Sequence, residues 1–414
     1  MNISTDSHGR APNPSADAGL LGTETGFDPH GLERLKRTVE AQITAGRIPG
    51  AVLVLSRHGE QIAMPFGKQY PGNSKAMGID AIFRIYSMTK PVVSLATMMM
   101  AEEGRLLISD PVSTYLPEFK GLQVGVESTN ASGQQCLSLV PCRNEMTIQD
   151  LLRHTSGLTY GIFGGPTLVK AAYRASGVES NQVSNAEMVT KLANLPLALQ
   201  PGTCWEYSRA TDVLGALLER LSGKTLDIYL QETIFGPLGM HDTGFWVEPS
   251  KQHRVAEAFE VDPITRNRVR LLDITKRPIF LSGGGGLVST AGDYLRFAQL
   301  LANGGERQGL RLLARKTMEF MISDHLAELP GATAGPMYLP GPGYGFGLGF
   351  AVRTAQGGPL TPGSVGDFNW SGLAGTYFWI DPREDLIAIW LVQAPEQRDY
   401  YRQVIRNLVN GCLR

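Results

Sequence analysis

Ser87 and Lys90 stand three residues apart in Ser87-Met88-Thr89-Lys90, where an apolar helical stretch begins. Residues at i and i+3 share one helix face, so this hydroxyl and this amine can meet. A serine hydroxyl is a poor nucleophile until a nearby base takes its proton. A lysine can be that base if desolvation or neighbouring positive charge lowers its pKa. The chemistry suggested is acyl transfer with Ser87 as nucleophile. The pair alone is weak evidence. With 24 serines and 11 lysines in 414 residues, chance supplies roughly 0.6 such matches. The plain alternative is an N-cap serine followed by a solvated lysine.

The surrounding elements must position the pair. Asp28-Pro29 has the form of an N-cap and first helical residue, followed by Leu32, Leu35, Val39 and Ile43 at helical spacing, with Gly46 as the stop. Ala51-Val52-Leu53-Val54-Leu55 predicts a buried strand, turned by His58-Gly59 into a second over 61–66. Phe83-Arg84-Ile85-Tyr86 leads into Ser87 and a helix that Gly104 ends. Between 105 and 280 helical periodicity dominates. Thr147 caps a helix over 148–153, and 212–221 is a second clear one, stopped by Gly223. The polar stretch 121–144 is expected to be an inserted loop.

Strand character returns late. Tyr344, Phe346, Leu348, Phe350 and Val352 alternate with Gly345, Gly347, Gly349 and Ala351, predicting one strand with a bare face that lets a helix pack closely. Segments 376–380 and 386–392 flank Asp381-Pro382-Arg383-Glu384-Asp385 as a hairpin, and a last helix carries Tyr401, Val404, Ile405 and Leu408. The expectation is an α+β fold. Residues 26–104 and 281–414 form one discontinuous α/β domain around a single antiparallel sheet. Residues 105–280 form an inserted, mostly helical domain.

Composition excludes several classes. The chain is 43% hydrophobic and 19% charged with net charge −1, so neither nucleic acid nor an anionic membrane is suggested as a partner. Residues 1–25 are polar and lack a signal-like apolar core; they read as a disordered tail on a cytoplasmic protein. Cys136, Cys142, Cys204 and Cys412 include no C-x-x-C pair, and the seven histidines show no H-E-x-x-H spacing, so no metal is expected. Cys136 and Cys142 could bridge under oxidation, but free thiols are expected in a cytoplasmic protein.

Context lifts the Ser–Lys pair above chance. Leu151-Leu152-Arg153-His154-Thr155-Ser156-Gly157-Leu158, Tyr207-Ser208 with Asp212-Val213-Leu214-Gly215, the glycine-rich 283–290, and Trp370-Ser371-Gly372 follow in order. With these motifs the chain resembles, over about 26–410, the family VIII carboxylesterases, serine esterases built like class C β-lactamases. The resemblance implies a β-lactamase/penicillin-binding-protein-like fold. It implies Ser87 as nucleophile, Lys90 as the base that shares its proton, and Tyr207 as the acid and base serving the leaving alkoxide. A free phenol titrates near ~10, so Tyr207 needs the positive charge of Lys90 beside it. The resemblance further implies an oxyanion hole from the backbone N–H groups of Ser87 and Leu373, with Trp370, Ser371 and Gly372 against the substrate and no cofactor.

Other readings of these residues compete. Tyr207 and Trp370 could be packed aromatics. His154 is read as a structural helix end, 283–286 as close backbone packing rather than a phosphate loop, and Ser222-Gly223-Lys224-Thr225 as a helix end. Two departures from the lactamase pattern point toward a neutral ester. Trp370-Ser371-Gly372 stands where lactamases and peptidases commonly carry Lys-Thr-Gly or His-Thr-Gly, and Arg209 stands where they carry Asn. No Gly-x-Ser-x-Gly elbow occurs, which argues against an α/β-hydrolase. The expected function is therefore hydrolysis of a small-molecule ester through an acyl-enzyme. Ranked behind it are an acyltransferase, a β-lactamase or D,D-peptidase, and a catalytically idle ligand-binding or scaffold protein. Oligomeric state is open.

Overall fold

Asp28 caps the first helix, α1 (Pro29–Thr44), by accepting from Gly31 N, and Leu32, Leu35 and Val39 are its buried face. The structure, a computed structural model, describes residues 26–335 and 337–414. The expected tail at 1–25 lies outside the described residues.

After α1 come β1 (Gly50–Arg57) and β2 (Glu60–Gly67). Five strands close the chain: β3 (Tyr344–Phe346), β4 (Ala351–Arg353), β5 (Phe368–Ser371), β6 (Tyr377–Asp381) and β7 (Leu386–Val392). All seven form one antiparallel sheet in the order β2-β1-β7-β6-β5-β4-β3. The first strand therefore pairs with the last, with Leu53 opposite Trp390. Every residue of β1 and β7 is buried, which explains their near-continuous apolar runs: both faces of these central strands are covered.

The period of two sends alternate residues to two cores. Leu53, Leu55, Trp379 and Trp390 pack with Leu35 and Val39 of α1 and with Tyr401 and Ile405 of the last helix, Arg398–Asn410. Val52, Val54, Phe378 and Ile389 join the larger core with Val92 and Ala96 of α2 (Thr89–Glu102) and Phe297 of the helix Ala291–Ala302. Nearly all of α2 is buried, as expected for a helix that is apolar all round.

Between α2 and the late strands run the helices Ile148–Leu152, Leu168–Ser176, Asn185–Ala193 and α3 (Ala210–Ser222). Thr147 caps the first of them through a capping box with Asp150. Gly223 ends α3 in the left-handed conformation, so Ser222-Gly223-Lys224-Thr225 is a helix end.

Two expectations are corrected. The stretch 121–144 is not a loop: Gln123–Thr129 and Gln135–Pro141 pair as an antiparallel hairpin. Most of its residues are exposed or half-buried, so no alternation of apolar residues marked it. It is tied down by its backbone, with Gly125 N donating to Leu197 O at 2.9 Å. The alternating run 344–352 is not one strand but two, β3 and β4, with Phe346 opposite Ala351. Gly349 turns the chain at φ +100°, a conformation open mainly to glycine. The bare face does allow close packing: a Cβ on Gly347 would collide with Met321 O at the end of the helix Arg315–Met321.

Candidate active site

Ser87 lies in a 3₁₀ turn, Tyr86–Met88, that runs directly into α2. The turn is strained, because Tyr86 sits at φ +43°. A left-handed conformation costs a non-glycine residue roughly 1–2 kcal/mol. Contacts on every side hold it there. Tyr86 O accepts from Thr89 Oγ1 at 2.6 Å, Tyr86 Oη accepts from Leu272 N at 2.9 Å, and Ile85 N donates to Leu287 O at 3.0 Å.

Lys90, one turn on, is 1% exposed. Its Nζ donates to Gly284 O at 2.7 Å, to Tyr160 Oη at 3.3 Å and to Ser87 Oγ at 3.4 Å. Burial works against its charge. The Tyr160 and Tyr207 phenols and the Asp212 carboxylate outweigh burial and hold the amine above the ordinary lysine range. These neighbours favour the ammonium form of Lys90.

Tyr207 Oη donates to Ser87 Oγ at 2.6 Å, across 120 residues of sequence. The Tyr207 ring is boxed in by other rings. Trp205 stacks on it at 5.9 Å, and Tyr160, Phe163, His154 and Trp370 lie 5.2–5.8 Å away. The Lys90 Nζ sits 4.5 Å from its centroid, a favourable place for a cation. Tyr207 is therefore a packed aromatic whose one polar atom is aimed at Ser87.

The glycine-rich segment 283–286 closes the other side. A Cβ on Gly283 would stand 2.5 Å from Thr211 O, so the segment is close packing, as expected. Asp212, at the start of α3, accepts from Gly284 N at 2.8 Å and from Ser282 Oγ at 2.6 Å. Asp212 thereby fixes the residue whose carbonyl holds Lys90. Asp212 and Gly284 lie inside motifs quoted from the sequence but were given no role there, and Tyr160 was not singled out; only its place two residues after the 151–158 motif could have pointed to it.

His154 is structural, as expected. It is 1% exposed, its Nδ1 lies 3.2 Å from Ser208 Oγ, and burial, aided by the Lys90 charge, pushes its pKa well below the usual value. Both effects favour the neutral imidazole, which keeps one ring N–H.

Two cavities meet at Ser87, Phe163 and Leu373. The larger, about 690 Å³, runs past Tyr160, Gly284, Arg209 and Phe280. The smaller, about 400 Å³, is lined by Tyr207, Trp370, Ser371 and Gly372. The loops 159–167 and 329–343 supply the rim, through Ile162 and Phe163 to the larger and Leu339 and Pro340 to the smaller. Trp370 is mostly core, 5% exposed and edge-on to Phe346 at 5.3 Å. Arg398 and Arg402 of the last helix also line the smaller cavity, a charge that the β5 sequence did not announce. Arg402 Nη2 donates to Gly372 O at 2.8 Å, and Nη1 lies 3.2 Å from Asp399 Oδ1.

Gly372 packs directly on the Ser87 turn. A Cβ there would collide with Ile85 O and Thr376 Oγ1. Gly372→Ala should push β5 away from Ser87 while leaving the fold intact. Displacements near 1 Å can cost about 10²-fold in rate. We expect a loss of that order in kcat/KM for a short-chain ester, with an unchanged far-ultraviolet circular dichroism spectrum. A loss below threefold would show that this contact does not set the site.

No group of histidine, cysteine or acidic residues suited to a metal occurs among the described residues. No helix among them is long and apolar enough to cross a membrane.

The beta-lactamase family profile matches residues 35–409. Protein Rv1367c of Mycobacterium tuberculosis is 34% identical over 369 residues, covering 87% of this chain and 90% of that protein. Esterase EstB of Burkholderia gladioli is 30% identical over 370 residues, covering 84% of this chain and 86% of that protein. Among solved structures, EstCE1, described as a hydrolase with promiscuous acyltransferase activity, matches with a TM-score of 0.75 at 27% identity. That match covers 92% of this chain and 98% of the other.

Proposed function

This chain belongs to the beta-lactamase family, and on that premise we propose that it is a carboxylesterase working through an acyl-enzyme on Ser87. The observation that carries this reading is the contact of Ser87 Oγ with Tyr207 Oη at 2.6 Å and Lys90 Nζ at 3.4 Å. A hydroxyl, a phenol and an ammonium gathered in a half-enclosed cleft are what nucleophilic acyl transfer requires.

In the reactive arrangement Tyr207 has released its proton to solvent, the short hydrogen bond is reversed, and Ser87 donates to the phenolate, whose charge the Lys90 ammonium compensates. Ser87 Oγ attacks the ester carbon as its proton passes to Tyr207. The backbone N–H groups of Ser87 and Leu373 receive the carbonyl oxygen as it gains charge. The C–O bond to the alcohol then breaks, and Tyr207 returns the proton to the departing alkoxide. Water repeats the sequence from the same side and releases the acid and Ser87. In this scheme Lys90 serves the proton transfer by its charge, and Tyr207 is the group that takes the proton.

The relative Esterase EstB supports an ester over a lactam. A second reading rests on the acyltransferase activity in the description of EstCE1, since an alcohol could replace water at the second step. Unpaired Cys136, Cys142, Cys204 and Cys412 fit a cytoplasmic protein.

A fluorophosphonate probe should add its mass to the peptide carrying Ser87, and short-chain p-nitrophenyl esters should be cleaved much faster than nitrocefin. A folded protein that takes no label would favour the idle scaffold. Faster nitrocefin cleavage would make the protein a β-lactamase. Ester exchange exceeding hydrolysis when a primary alcohol is added would favour the acyltransferase.

A further inference from the structure

We propose that the larger cavity selects esters whose acyl part ends in a carboxylate, which Arg209 binds; this rests on the esterase reading above. Tyr207, the proton donor to the leaving alkoxide, lines the smaller cavity and not the larger. The alcohol therefore departs through the smaller cavity, and the acyl chain lies in the larger one.

Arg209 lines that larger cavity and is 7% exposed. Its guanidinium is held 5.5 Å from the centroids of Tyr160 and of Phe280, both cavity walls. Its Nε is buried without a hydrogen-bond partner. Its Nη1 reaches Asp212 Oδ2 at 3.3 Å, but Asp212 also serves Ser282 and Gly284 through Oδ1.

Arg209 thus has a counter-ion in Asp212, but one shared with Ser282 and Gly284. Glu206, three residues before it in sequence, is paired with Lys170 at 3.1 Å. Glu179, Asp273, Lys276 and Arg277 also line the cavity, the last already held by Asp227 at 2.8 Å. A guanidinium with donors to spare is suited to a carboxylate. An acyl chain carrying a terminal carboxylate supplies that acceptor, and the substrate class is the half-ester of an aliphatic dicarboxylic acid.

The test compares methanol release from monomethyl esters of the C4 to C8 dicarboxylic acids with that from methyl esters of chain-matched monocarboxylic acids. At the chain length that reaches Arg209, the half-ester should be preferred about 10- to 100-fold in kcat/KM, the worth of one charge-assisted hydrogen bond. Arg209→Met should abolish that preference, and Arg209→Lys should keep part of it. Preference for the neutral ester at every length overturns the proposal, as does a preference that survives in Arg209→Met. Should Arg209→Met not fold, inhibition of the wild type by free dicarboxylates against their neutral diamides decides. Equal or weaker inhibition by the dianions then overturns it. Cleavage of the neutral esters alone sinks this proposal and leaves the esterase standing; cleavage of no ester sinks the esterase itself.

Discussion

Tyr207→Phe is expected to lower kcat for a short-chain ester by about 10²- to 10⁴-fold, the usual worth of a positioned acid–base group. The substitution removes one atom, the Oη at 2.6 Å from Ser87 Oγ. The ring keeps its stacking on Trp205 at 5.9 Å and its tilted contacts with Tyr160 and Phe163, so folding and KM should change little. That split matters: a loss in kcat with KM preserved marks an interaction made in the transition state. Labelling of Ser87 by a fluorophosphonate should slow in parallel. Near-normal turnover in the folded variant would reject Tyr207 as the proton carrier and return that role to Lys90.

Asp367→Ala should destabilise the protein by about 3–5 kcal/mol, the cost of leaving buried charge unpaired. Asp367 and Arg353 are fully buried, with Arg353 Nε 2.8 Å from Asp367 Oδ2. Arg406 of the last helix reaches the same carboxylate and donates to Tyr377 Oη at 2.8 Å. The triad joins β4, the residue leading into β5, and the last helix, beneath the smaller cavity. Without the carboxylate, two guanidiniums face each other in the core. Urea unfolding at neutral pH reads the effect. Glu319→Ala, at the exposed pair with Lys316, should have a far smaller effect, because solvent screens such a pair. An equal effect of the two changes would mean that the buried triad is not holding these elements together.

The legibility of this chain in its sequence varied by residue. Asp28, Thr147 and Gly223 act as caps and stops within one turn of their own helices, so their roles show in short windows. The apolar runs of β1 and β7 announced buried strands because both faces are covered. The hairpin at 123–141 escaped because it is mostly exposed, so no burial pattern was imposed on it. The break at Gly349 escaped because alternation continues on both sides of the turn.

By itself the sequence determined that the Ser87 hydroxyl and the Lys90 amine are neighbours. Ser87 and Lys90 are one turn apart on any helix, and that spacing does not depend on the rest of the fold. The ordered motifs added Tyr207 through family resemblance. Tertiary structure alone decided what surrounds them. Lys90 meets Gly284 O from 194 residues away and Tyr160 from 70. Burial works against the Lys90 charge, and Tyr160, Tyr207 and Asp212 outweigh it. Arg209 became a cavity wall rather than a departure from a pattern only once Tyr160 and Phe280 were seen to flank it. Local periodicity and capping act over a few residues. The site is made by contacts across the chain, and its charge balance exists only where the folded chain brings those groups together.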